Sequence, residues 1–289
     1  MALRGLSLVS VAALAGAALM YLTYLYRVAT VPVVVMASAS IVFGFMGVLV
    51  AARRLYFLAG AAPHASLVAA LAAVPLYYAT GLPLPLLVAV LGVLLVYTVG
   101  YAIFRDVDPD VATSVFVSVA ASLSVILVYV IKSRYPLGFD IAALVFGDPL
   151  LASHWEAVEA AVLAAAVAVL GFMSYREQVY IGVDREAARL TGIRLWLYDL
   201  LFFTLLGAAL SIMVRIVGFV LEHVLVLVPG ALAGYSSSSR EALLVGLAAS
   251  LFAGAAGLAL GLVLNISPSG AAGLVLFASY LVAATYHRR

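Results

Sequence analysis

Runs of about twenty apolar residues, separated by short polar or Pro/Gly punctuation, repeat along almost the whole chain. About twenty predominantly apolar residues form the unit that crosses a bilayer as a helix. The pattern predicts spanning helices over about 6–26, 33–52, 63–79, 84–104, 111–131, 155–175, 195–214, 217–234, 241–264 and 270–286. Two of the breaks carry no charge: Gly81 to Pro85, and Asn265 to Gly270. There Pro and Gly end one helix and start the next. The run over 6–26 follows Arg4 and resembles a signal peptide in outline. It exceeds the 7–15 apolar residues of such a segment and reads as the first spanning helix.

Two interruptions are longer. One, about 132–156, holds Lys132, Arg134, Asp140, Asp148 and His154 around a short apolar piece over 141–146. The other, about 176–194, is the only charge-dense block. In it Asp184 is the expected N-cap of a short helix and Gly192 the expected residue at its end. In the ninth helix Gly246, Ser250 and Gly254 recur every four residues, with Gly257 and Gly261 beyond. Small residues at this spacing let helix backbones approach closely in lipid.

Composition agrees with the pattern. Of 289 residues 67% are hydrophobic and 10% charged, against about 25% charged in soluble domains. The expected architecture is therefore all-α and polytopic, with one transmembrane domain over 1–289. Ten alternating helices with both ends cytoplasmic would place 11 Arg inside and leave four basic residues, Arg27, Lys132, Arg134 and Arg215, outside. That asymmetry satisfies the positive-inside rule. No cysteine is present, which excludes disulfides and thiolate metal sites. Phosphate-cradling loops, zinc-protease signatures and basic patches with interleaved aromatics are missing, so nucleotide hydrolysis and nucleic-acid binding are not expected of this chain.

Within this frame three groups stand out. His64 lies at the start of its predicted helix, and imidazole is a good ligand for zinc-like ions. Glu222 and His223 interrupt an apolar helix. A charge inside a membrane normally faces an interior or a cavity. Glu222 is read as facing a translocation cavity; the alternatives are pairing to Arg215, seven residues earlier and on about the same face if the helix is continuous, and a place at the lipid interface. The predicted topology sets His64 and the Glu222–His223 pair towards opposite membrane faces. His154, Glu156 and Glu159 fit either a plain helix start or a place where an incoming ion is met. His287 reads as an interfacial anchor.

Five ordered blocks carry a resemblance: RRLYFLAGAAPHASL over 53–67, FGDPLL over 146–151, VDREAARLTGI over 183–193, Val217-Gly218 with PGALA over 229–233, and SPSG over 267–270. In this order and spacing they resemble the membrane-spanning permeases of zinc and manganese ABC importers, the ABC-3 family. The resemblance implies a type II ABC importer-like permease in the cell membrane, with no catalysis or cofactor of its own. It implies a second copy of the chain, a cytoplasmic ABC ATPase dimer that binds ATP, and an extracytoplasmic metal-binding protein as partners. The cargo would be a divalent transition metal ion, zinc or manganese. A metal chelate or corrinoid is the alternative cargo, and an intramembrane enzyme a further alternative. The 176–194 segment resembles the family's ATPase-coupling segment, which marks Asp184, Arg185, Glu186, Ala187, Arg189 and Gly192. The family resemblance marks His64 for the metal path. The family often has an acid shortly before this His, and here the residues are Ala59 to Pro63.

Overall fold

The computed structural model describes residues 30–104, 107–135 and 147–287. The helix predicted over 6–26 and the apolar piece over 141–146 lie outside them. Among the described residues there are ten α-helices, one short 3-10 helix (Pro149–Leu151) and no strand. The α-helices are α1 (Thr30–Ala52), α2 (Tyr56–Thr80), α3 (Leu84–Phe104), α4 (Pro109–Arg134), α5 (His154–Val183), α6 (Arg185–Leu190), α7 (Leu195–Val217), α8 (Phe219–Ala233), α9 (Ser239–Leu264) and α10 (Pro268–His287). Eight are long and apolar enough to cross a membrane, and α8 is a shorter apolar helix. Nine of the ten predicted spans thus have a counterpart here.

Helix α1 is the axis of the bundle. Most of its side chains are buried, and it packs against α5, α8 and α9. A helix that is apolar all round belongs in such a place. Small residues set how close its neighbours come. An ideal Cβ built on Gly230 of α8 would lie 2.3 Å from the Gly47 carbonyl oxygen of α1. The Gly246, Ser250 and Gly254 face of α9 meets Val48, Gly44 and Ser40 of α1, while Gly257 and Gly261 meet Ala272 and Pro268 at the α10 end. The glycine pattern in the ninth predicted helix is a packing surface.

Helix ends follow their local chemistry. Asp108 caps α4 by accepting from the Asp110 and Val111 amides. Ser153 and Glu156 form a reciprocal capping box at α5. Gly81 ends α2 at φ 71, and Asn265 ends α9 at φ 52, both in the left-handed region.

Two boundaries differ from the sequence expectation. Helix α2 begins at Tyr56 rather than at 63, and both Pro63 and Pro75 lie inside it. Proline interrupts helices strongly in water, but neighbouring helices and Ser/Thr side chains make it tolerable in a membrane bundle. Helix α5 continues two turns past 175, to Val183. Its 30 residues span about 45 Å, more than the ~30 Å hydrocarbon core.

Candidate functional site

The first cluster lies where α2 meets α8. Because α2 starts at Tyr56, His64 sits about 12 Å along the helix from that end rather than at its mouth. Helix α8 is short and starts at Phe219, directly after the helix is broken at Gly218 with φ 82. These two facts bring together what the predicted topology separates: the His64 and His223 rings lie edge to face with centroids 5.2 Å apart. Phe219 completes the group, 5.0 Å from His64 and 4.4 Å from His223. His223 Nδ1 is 3.1 Å from the Phe219 carbonyl oxygen. Both imidazoles are half-buried.

The neighbouring Glu222 takes its hydrogen bond from Ser66 and not from the imidazoles. It is fully buried, and its Oε2 accepts a 2.9 Å hydrogen bond from Ser66 Oγ of α2. Its Oε1 is buried with no partner among the described residues. Glu222 is therefore enclosed between α2 and α8 rather than lying on an open surface. Its pairing with Arg215 fails, because the helix is broken at Gly218. Arg215 instead approaches Glu156 of α5 at 3.8 Å. Among the described residues no three His, Asp or Glu side chains converge as a metal cage.

The α7–α8 break is braced by two other blocks of the sequence. Ser269 Oγ donates to the Val217 carbonyl at 2.9 Å. Gly147, at φ 58, lies so close that a Cβ there would be 2.1 Å from the Val217 carbonyl carbon. The second, fourth and fifth blocks therefore meet at one point, the root of the helix that carries Glu222 and His223.

The second cluster surrounds α6. Asp184 caps this helix by accepting from the Ala187 amide at 2.9 Å. Gly192, just past its end, adopts φ 84, where a side chain is disfavoured. Glu186, Ala187, Arg189 and Leu190 are exposed, Leu190 at 88%, while Ala188 is buried. Arg185 turns inward to Asp199 of α7, its Nη2 2.5 Å from Oδ2. Arg53, in the α1–α2 turn, binds the other oxygen of Asp199. The third block thus meets the head of the first, whose tail holds His64 and Ser66.

His154, at the start of α5, is exposed, and Glu156 is engaged in its capping box and with Arg215. The His287 side chain lies outside the described ones. Sequence reasoning gave no role to Asp199, Phe219 or Ser66. The available signal was the lone acid of α7, Asp199, in an otherwise apolar run near an Arg-rich segment.

The family model of the ABC 3 transport family matches residues 22–287, nearly the whole chain. The chain belongs to the ABC 3 transport family. No curated protein matches it. Among solved structures it is similar to a chain of PsaBC from Streptococcus pneumoniae in complex with Fab, at 21% identity and TM-score 0.75, covering 88% of this chain and 90% of that one. It is also similar to an inward-facing metal-chelate type ABC transporter, at 13% identity and TM-score 0.60, covering 89% and 85%. Both likenesses concern the fold: this ABC 3 family member has the all-helical architecture of an ABC permease.

Proposed function

We propose that the chain is the permease subunit of an ABC importer for a divalent transition metal ion, zinc or manganese. In this reading two copies assemble in the cell membrane with cytoplasmic termini, receive the ion from an extracytoplasmic binding protein, and are driven by two copies of a cytoplasmic ATPase. The observation that carries the reading is the imidazole pair, His64 and His223, delivered from two helices to one place inside the bundle. A cation leaving water gains from nitrogen donors along its path, and two donors hold it weakly enough for release. Glu222, one residue from His223, is enclosed in the bundle, so in this reading it acts on the path without being a direct ligand. A chelate or corrinoid brings its own ligands and has no use for two bare imidazoles, so the free ion is favoured.

In this reading the exposed residues Asp184, Glu186, Ala187, Arg189 and Gly192 form the docking face for the ATPase, while Arg185 of the same segment is turned inward to Asp199 and is not a docking contact. A short helix capped at both ends presents its exposed residues as a rigid body. Reconstitution in proteoliposomes tests the proposal. The chain alone should hydrolyse no ATP, and with its ATPase it should accumulate radioactive zinc or manganese only when ATP is supplied. ATP-driven uptake of a ferric chelate or corrinoid with no uptake of the free ions would overturn the choice of cargo.

A further inference from the structure

Asp199 joins three parts of the chain that are far apart in sequence. Its carboxylate takes Arg53 on one oxygen and the Arg185 fork on both, with Nη2 2.5 Å from Oδ2 and Nη1 3.3 Å from Oδ1. The Arg53 side chain is 2% exposed, that of Asp199 14% and that of Arg185 40%, so the group runs from the protein interior to the docking surface. The guanidinium of Arg53 also lies over the Phe202 ring of α7, 4.9 Å from its centroid. The turn that holds Arg53 is fixed by contact as well. A Cβ on Gly182 of α5 would lie 1.9 Å from the Ala52 carbonyl oxygen, and Gln178 of α5 donates to the Tyr198 carbonyl at 3.1 Å. Arg54 completes the turn at φ 58.

Helix α2 starts three residues after Arg53 and carries His64 two turns further on. We propose that the Arg53–Asp199–Arg185 clasp is the positioning element that transmits movement of α6 to α2, and so to the His64–His223 pair. The inference rests on the reading of α6 as the docking segment. A bidentate guanidinium–carboxylate pair is directional, so it conveys rotation as well as displacement. Arg53 Nη1 is buried with no partner among the described residues.

The test uses the complete transporter in proteoliposomes, with ATP hydrolysis and zinc uptake measured on one sample. Arg185→Ala and Asp199→Asn are each expected to lower zinc taken up per ATP hydrolysed about tenfold, within the range spanned by residues that modulate coupling. The ATPase stays bound and hydrolysing. Arg185→Lys, which keeps the charge and loses the fork, should recover part of the ratio. Loss of the ATPase from Arg185→Ala would make Arg185 a docking contact and overturn the clasp. An unchanged uptake-to-ATP ratio in both variants, with the ATPase bound at α6, would overturn it and leave docking intact. A wild-type chain that binds no ATPase at α6 would instead overturn the docking reading beneath it.

Discussion

The double variant His64→Ala, His223→Ala is expected to take up zinc on the order of a hundredfold more slowly than the unaltered chain, the upper end of what losing groups around a metal costs. Assembly with the ATPase should persist. The two rings are half-buried and touch chiefly each other and Phe219, so their removal opens a small space without breaking an ion pair. What is lost is chemistry. A neutral imidazole donates one proton and offers one lone pair. Where the Phe219 carbonyl takes the proton of His223 Nδ1, the other nitrogen is left for a cation. With His64 beside it, an ion meets two nitrogen donors at one depth. Each single Ala variant keeps one donor and should fall less than the pair. Uptake by the double variant within twofold of wild type, with assembly verified, would remove the imidazoles from the metal path.

The helices were readable because lipid makes the hydrophobic signal nearly independent of tertiary detail. The breaks at Gly81 and Asn265 and the cap at Asp184 were readable because they are local backbone chemistry. The site was readable in its parts but not in its assembly. Pro63 looked like a helix start, and placing it there put His64 at a membrane face. The structure keeps Pro63 within α2 and so carries His64 inward. The predicted spans 195–214 and 217–234 set the break just before Gly218, and only a helix running on through it would put Arg215 and Glu222 on one face. The φ of 82 at Gly218 ends α7, turns Arg215 towards Glu156 and starts a new helix with Glu222 in its first turn. A single left-handed residue thus decided which acid each base could reach, and periodicity does not carry that information. The Asp199 clasp joins positions 53, 185 and 199, and pairing across such distances depends on how helices pack. The exposed, capped α6 depended on none of this and emerged as expected.

Ser66→Ala should destabilise the protein by about 1–3 kcal/mol, the cost of leaving a buried polar group without its partner. Ser66 Oγ lies 2.8 Å from the Pro63 carbonyl oxygen and 2.9 Å from Glu222 Oε2. It is the only hydrogen-bond partner of the Glu222 carboxyl among the described residues, since Oε1 has none. Deleting it strands both oxygens in the interior. Adding Glu222→Leu to Ser66→Ala removes the stranded group, so the double variant should regain most of the lost stability. Such non-additivity is the signature of a direct pair, and thermal unfolding of the purified variants in detergent would measure it. Transport then separates the two roles of the acid. Glu222→Gln keeps the shape and an acceptor for Ser66 but carries no ionisable oxygen pair. If Glu222 serves the cation's path, this variant should unfold near the wild-type temperature and yet take up zinc and manganese more slowly, because a charge in low-dielectric surroundings acts strongly on a passing ion. Wild-type uptake by Glu222→Gln would make the acid a brace between α2 and α8 and nothing more. Wild-type stability of Ser66→Ala would show that another donor, from water or a second copy of the chain, reaches the carboxyl, and the brace itself would have to be abandoned.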